Sequence, residues 1–394
     1  MPSSSALFAL ALGVASAYTI PSIPLKNAAA PGTSMPVTGL GTGGYGHNAT
    51  SPTAYPECWS DSAGCGEWVL NATLLYLQLA ASTSSTQVRL DNANSYDDVD
   101  NVGRAMLLSG LPRSQIFLLS KTGSGQAMGY ADTMAQMDAI LAQGGYAYVD
   151  ALLVHWPTST AASQEPTCNA RAPSYNATHC RLDTWRAYVD ILAAGKARAI
   201  GVSNYNRAQL QEIADAGMPL PAINQIPYNV YRSSSWAETV AWCQRNGVVV
   251  NSYSPYGAPD VHAFPPPMAP TPLLDPVVAA IAAAHGRTPA AVVSAWLFSL
   301  GIVLNPRTYS PAHMADNLNA FDLCVRGRSG GGGGVLAAIA VVCFTCLNTL
   351  PLLALVFMFP LCRVLTAAEI SQLSSRPQDF CDGDSKWYEC APVV

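Results

Sequence analysis

Charged side chains are scarce here, at 11% of 394 residues, against about 25% in an ordinary globular chain. Clusters of Lys and Arg are lacking and the net charge is -5. That argues against a nucleic-acid partner, because phosphate backbones are held by basic patches. Among 11 cysteines no Cys-x-x-Cys pair recurs with matching histidines, so no metal site is expected. A dinucleotide fingerprint is missing too. Gly39-Leu-Gly41-Thr-Gly43-Gly44 is glycine-rich but is not followed by a helical run, which removes the main support for an open doubly wound sheet.

What is abundant is apolar: 50% of the chain. One source lies at the N-terminus, where the short run Ala6 to Val14 precedes Ala15-Ser16-Ala17. No Lys or Arg stands before it, yet the layout suits a signal peptide over residues 1–17. The run is too short to span a bilayer of ~30 Å. Three sequons, Asn48-Ala-Thr50, Asn71-Ala-Thr73 and Asn176-Ala-Thr178, agree with secretion and glycosylation. So do three close cysteine pairs whose spacing suits local disulfides: Cys58 with Cys65, Cys168 with Cys180, and Cys381 with Cys390. Cys243 and Cys324 read as buried thiols. The expected location is the secretory pathway or the exterior. It becomes the cytoplasm if the N-terminal run is not a signal.

Strand-like and helix-like runs alternate from residue 35 onward. Val37 to Leu40, Val88 to Leu90, Ile116 to Ser120, Val149 to Val154, Ala197 to Val202, Ala222 to Asn224, Val248 to Ser252 and Ile302 to Leu304 read as strands buried on both faces. Amphipathic stretches such as Val99 to Leu108, Thr184 to Ala194, Arg207 to Ala216, Trp236 to Asn246 and Ala290 to Leu300 lie between them. Eight strands with crossover helices imply an α/β fold, a closed (β/α)8 barrel in one domain. Thr288-Pro289 and Ser310-Pro311 each offer an N-cap hydroxyl before a first-turn proline. The second pair opens a helix after the last strand, which is a ready phosphate site.

Asp91-Asn-Ala-Asn-Ser-Tyr96, then Lys121, then His155-Trp156-Pro157 each close one of these runs. In a closed parallel barrel such ends converge on one mouth, so a carboxylate, a phenol, an ammonium and an imidazole meet around one substrate atom. From Met35 to Asp322 the chain resembles the aldo-keto reductases. The matching stretches are Gly39-Leu-Gly-Thr42, Asp91-x-Ala93-x-x-Tyr96 with Val102-Gly103, Ser120-Lys121, and Asp150-x-x-x-x-His155-Trp156-Pro157. They continue with Gly195-Lys196 through Gly201-Val-Ser203-Asn204-Tyr205, Asn224-Gln225, Ser252-Tyr253-Ser254-Pro255, Pro306-Arg307-Thr308 and Asp316-Asn317.

The resemblance implies reduction of aldehydes or ketones with a nicotinamide dinucleotide, on a small carbonyl substrate, by a monomeric enzyme. Asp91, Tyr96, Lys121 and His155 fall on the family's catalytic tetrad. A phenol with an ordinary pKa of ~10 is a poor catalyst at neutral pH. An adjacent ammonium is expected to lower that value, and a carboxylate to anchor the ammonium. Tyr96 is then the proton donor, Lys121 its tuner, Asp91 the anchor of Lys121, and His155 the group orienting the carbonyl oxygen. For the cofactor, the resemblance assigns Ser203, Asn204 and Gln225 to the carboxamide and Tyr253 to the ring. Ser254 and the helix opened by Ser310 face the phosphates. Arg307 and Thr308 grip a 2′-phosphate, with His313 where relatives usually carry an arginine, and Asp316 and Asn317 meet the adenine. Arg forks well onto phosphate, so NADP(H) is favoured over NAD(H).

Departures from the family are also present. Gly43 replaces a pocket-lining aromatic, and Pro227 an acidic residue. The stretches Gly46 to Leu70 and Pro157 to Asp183 read as unusually long loops over the mouth. The rival reading is a dinucleotide-binding regulatory subunit without turnover, such as those that accompany ion channels. Leu323 to Val364 interrupts the family pattern, which resumes at Leu365-Thr-Ala-Ala-Glu369-Ile370. The barrel is thus expected over 30–323 and 365–380, the insertion over 324–364, and a Cys-containing tail over 381–394. The insertion holds Gly330 to Gly334 and then Val335 to Cys362, 28 residues without a charge. The preferred reading is a retained intron, since Leu361-Cys362-Arg363 can be coded CTG TGC AGG, an acceptor-like sequence. Second is a membrane span over 335–362, weakened by Asn348, Pro351 and Pro360, which would make the chain a tethered protein. A buried insertion is third.

Overall fold

The computed structural model describes residues 20–43, 65–83, 85, 87–123, 127–158, 162–257, 271–320 and 365–376. The leader, the sequon at Asn48, Cys58, Cys324, the 324–364 insertion, and Cys381 with Cys390 lie outside the described residues. Of Cys65 only the backbone is described.

A short antiparallel hairpin comes first, β1 (Ser22–Pro24) against β2 (Ser34–Pro36). Eight parallel strands follow: β3 (Leu40–Gly41), β4 (Val88–Asp91), β5 (Ile116–Thr122), β6 (Ala151–Val154), β7 (Ile200–Ser203), β8 (Ile223–Pro227), β9 (Val249–Tyr253) and β10 (Val303–Asn305). They pair in sequence order in one sheet. The ends of that sheet meet: Leu304 N donates to Val37 O at 3.0 Å, and Gly41 N to Pro306 O at 2.9 Å. The result is the expected (β/α)8 barrel. Strands such as Ile116–Thr122 and Ala151–Val154 are buried throughout, which is why they read as continuous apolar runs.

The outer helices are α1 (Cys65–Ala81), α2 (Val99–Ser109), α3 (Tyr130–Gly144), α4 (Ala177–Ala193), α5 (Arg207–Asp215), α6 (Ala237–Arg245), α7 (Pro276–His285), α8 (Pro289–Ser299) and α9 (Pro311–Leu318). Both proline caps form as expected. Thr288 accepts from Ala291 N, and Ser310 from His313 N. Two boundaries differ from expectation. A helix already runs from Cys65 inside the stretch read as a loop to Leu70, and α4 begins at Ala177, six residues before the expected loop end at Asp183. In the second case Asn176 caps the helix by accepting from His179 N. Cys180 therefore sits in the first turns of α4, where it forms a disulfide with Cys168 of the preceding loop. Cys243 is buried and free, and burial pushes its thiol up to about 12.

Ordered structure also starts earlier than residue 30. Ile20, Ile23 and Met35 are buried, and Ala30 N donates to Arg198 O at 2.7 Å. The hairpin thereby closes the N-terminal end of the barrel. Above it the guanidinium of Arg89 occupies the floor, donating to Leu304 O. Burial lowers its pKa to about 10, so it stays charged at neutral pH. After Ala320 the chain is next described at Leu365, where α10 (Ala367–Ser374) packs back on the barrel. Leu365 and Leu373 are buried, Trp296 Nε1 donates to Ser374 Oγ at 3.0 Å, His285 Nε2 meets Glu369 Oε1 at 2.8 Å, and Arg376 Nη2 pairs with Asp275 at 2.8 Å. Among the described residues no single helix is long and apolar enough to cross a membrane.

Candidate active site

Parallel register sets which side chains face inward. Gly41 lies beside Asp91, Asp91 beside Leu119, and Lys121 beside Leu153. Since strand side chains alternate, Asp91, Lys121 and, two residues after Leu153, His155 all point into the barrel at its C-terminal end. Tyr96 stands on a single 3-10 turn, Asn94–Tyr96, directly after β4.

Lys121 Nζ is the hub. It donates to Asp91 Oδ1, to Asn92 O at 3.1 Å, and to Tyr96 Oη at 3.4 Å. Those three acceptors account for the three protons of an ammonium. The other carboxylate oxygen of Asp91 accepts from Gln225 Nε2 at 2.6 Å. Burial pulls the Lys121 pKa down, but Asp91 and Tyr96 more than offset it and the net shift is upward. His155 meets the Tyr96 ring edge-on, with centroids 5.5 Å apart. Its Nδ1 lies 3.4 Å from Ser95 Oγ. Burial, reinforced by the Lys121 charge, holds the His155 pKa well below the usual 6.5, so the imidazole is neutral.

Tyr96 departs from the charge-only expectation. Lys121 does pull its pKa down, but burial pushes harder the other way, and the net shift is upward. The phenol therefore keeps its proton at neutral pH. For a proton donor that is the useful form.

The proposed cofactor residues form a second group beside the tetrad. Ser203 Oγ donates to Gln225 O at 2.9 Å, and Asn204, in the left-handed region at φ 63°, donates to His155 O at 2.9 Å. Tyr253 Oη donates to Asn204 Oδ1 at 3.0 Å. Ser254, also left-handed at φ 48°, follows β9, and its carbonyl accepts from Asn229 Nδ2. Arg307 and Thr308 follow β10. Arg307 Nη1 donates to Gly43 O at 2.8 Å, and Thr308 Oγ1 accepts from Ser310 N at 3.1 Å, 3.5 Å from His313 Nδ1. His313 is exposed in the first turn of α9. Asp316 accepts from Thr288 Oγ1 at 2.7 Å, while Asn317 is buried and accepts from Tyr256 Oη at 2.9 Å. Sequence reading missed Thr42, Asn92, Ser95 and Asp98, which lie around the tetrad. Asn92, Ser95 and Asp98 adjoin Asp91 and Tyr96 in the chain, whereas Thr42 comes near only through the pairing of β3 with β4.

Comparison with known proteins bears on the family and the fold. Residues 76–325 match the model of the Aldo/keto reductase family. The chain is 32% identical over 268 residues to morphine 6-dehydrogenase of Pseudomonas putida, covering 66% of this chain and 82% of that protein. It is 28% identical over 266 residues to aldo-keto reductase family 1 member A1 of Mus musculus, covering 66% of this chain and 80% of that protein. An aldo-keto reductase of Bombyx mori solved in complex with NADP superposes with a TM-score of 0.60 at 24% identity, covering 83% of this chain and 92% of that one. A second aldo-keto reductase, complexed with NADPH, gives 0.60 at 26% identity, covering 81% and 88%.

Proposed function

This chain belongs to the aldo/keto reductase family, and from that premise we propose that it reduces small aldehydes or ketones to alcohols with NADP(H). The observation that carries the reading is the triple engagement of Lys121 by Asp91, Asn92 O and Tyr96. An ammonium satisfied on all sides, beside a phenol that stays protonated, suits the delivery of a proton to a carbonyl oxygen.

The bound nicotinamide supplies the two-electron reducing equivalent. The chain's own residues do the rest. Tyr96 delivers a proton to the carbonyl oxygen, and Lys121 stabilises the phenolate left behind. Asp91 holds Lys121 cationic against its desolvation. Neutral His155 orients the carbonyl without competing for the proton.

The residues after β10 fit a phosphorylated cofactor. Arg307 is a fork-shaped cation, Thr308 a hydroxyl, and α9 a capped helix start with exposed Pro311 and Ala312, which together suit a phosphate. Ser203, Asn204 and Gln225 would hold the carboxamide, and Tyr253 the ring. Ser254 and the start of α9 would hold the pyrophosphate, with Arg307, Thr308 and His313 on the 2′-phosphate and Asp316 and Asn317 on the adenine. We assign the chain to the secretory pathway, a reading supported by the Cys168–Cys180 disulfide and the exposed Asn176.

Loss of NADPH absorbance against a panel of aldehydes and ketones tests the proposal. Tyr96→Phe is expected to lower turnover about 10²–10⁴-fold while NADPH still binds. Wild-type protein that binds NADPH yet turns over no carbonyl would make the chain a dinucleotide-binding subunit instead.

A further inference from the structure

Asn92 sits at the centre of the site although no catalytic step uses it. Its backbone N–H donates to Leu119 O at 2.8 Å and its carbonyl accepts from Lys121 Nζ. The side-chain Nδ2 donates to Thr42 Oγ1 at 3.0 Å and to Asp98 Oδ1. All of these groups are buried: Thr42, Asn92 and Asp98 expose 1%, 1% and 4%.

Asp98 occupies the N-cap position of α2, where an aspartate ordinarily accepts from the helix's first N–H groups. Here its side chain makes no such bond. The carboxyl is turned inward onto Asn92 and Thr42, and among the described residues it pairs with no cation. A buried acid diverted from capping is costly unless its placement serves something else. Burial raises its pKa well above the ordinary carboxylate value, against the hydrogen bonds from Asn92 and Thr42 and the Lys121 charge.

The geometry of an ammonium supplies the reason. Its three N–H directions are fixed relative to one another. Once Asp91 and the Asn92 carbonyl have taken two, the third is aimed, and it is aimed at Tyr96 over the longest of the three contacts, 3.4 Å. We propose that Asp98 is a positioning residue of the reductase: by locking the Asn92 carboxamide it holds the Asn92 carbonyl in place, and so directs Lys121 at Tyr96. This rests on the reductase reading given above.

Two variants and two readouts test it. Asp98→Ala is expected to lower kcat about 10–100-fold, the scale of a misplacement near 1 Å, with NADPH Kd and carbonyl KM within about twofold of wild type. Asp98→Asn keeps an acceptor for Asn92 Nδ2 and is expected to restore kcat to within about threefold. A crystal structure of Asp98→Ala should show Lys121 Nζ beyond hydrogen-bonding reach of Tyr96 Oη. Unchanged kcat in Asp98→Ala, a fall that Asp98→Asn does not recover, or an unmoved Lys121 would each overturn the proposal. Should Asp98→Ala fail to fold, Thr42→Val removes the other clamp on Asn92 and must lower kcat, with KM unchanged, for the proposal to stand. If wild-type protein reduces no carbonyl, the reductase reading is what fails, and the Lys121 position in the variant crystal still decides the role of Asp98.

Discussion

Gly43 lies flat against the ring of Tyr96: a β-carbon built on it would stand 2.5 Å from Tyr96 Cζ. The position tolerates only hydrogen while the phenol stays where Lys121 holds it. The same residue's carbonyl accepts from Arg307, so it touches both the tetrad and the proposed cofactor site.

Gly43→Ala is therefore expected to push the Tyr96 ring away from Lys121. Turnover should fall about 10²-fold, since misplacement near 1 Å costs that much. Melting temperature should barely move, because the clash is relieved at the far end of a side chain. Steady-state kinetics beside a thermal melt check this, and a variant as active as wild type would contradict it.

Protonation of His155 gives a pH dependence with a definite sign. Its folded pKa is held well below 6.5. Below pH 6.5 the unfolded chain therefore binds a proton that the folded chain refuses. Stability from this group is present above that value and is lost as pH falls toward the folded pKa, by at most about 1.4 kcal/mol per pH unit. Chemical denaturation between pH 7 and 5 should show His155→Gln losing less stability than wild type. Parallel curves would refute the assignment.

The sequon at Asn176 can be tested without disturbing the fold. Asn176 Oδ1 caps α4 by accepting from His179 N, and its backbone is extended at φ -134°, ψ 105°. Ala177→Pro abolishes the sequon. It also places proline at the first helical position after an extended residue, which both tolerate. Protein secreted from a glycosylating host is expected to shift on deglycosylation, and Ala177→Pro to lose that share of the shift while melting within about 2 °C of wild type. Identical mobilities would exclude a glycan at this site.

Removing residues 324–364 is expected to leave turnover and melting temperature essentially unchanged. Ending the chain at Leu323 is not. Leu365 and Leu373 are buried, and a fully buried leucine is worth about 1.5–3 kcal/mol. The truncated chain also forfeits the bonds to Trp296, His285 and Asp275. Melting curves of the two variants separate the cases; equal loss in both would mean that the insertion itself supports the barrel.

The barrel was legible because each strand is buried on both faces and ends in turn chemistry, so apolar runs and caps located it within a few residues. Its first helix was not, since it starts at Cys65, inside the Gly-, Ser- and Cys-rich stretch Gly46 to Leu70 that reads as loop. The hairpin was hidden by strands of three residues that each end in proline, a residue poor in strands. Asp91, Tyr96, Lys121 and His155 were readable from motif and strand ends. The upward shift of the Tyr96 pKa was not legible, because it comes from burial, which the order of charges along the chain does not reveal. Asp98 escaped because an aspartate before an apolar run looks like an ordinary cap, and only coordinates show which way its carboxyl turns.

Ala320 and Leu365 both belong to the core of one barrel. These two positions, 45 apart in the sequence, are thus parts of one compact body and share one compartment. The helix α10 therefore stays on the same side of any boundary as the sheet it fastens.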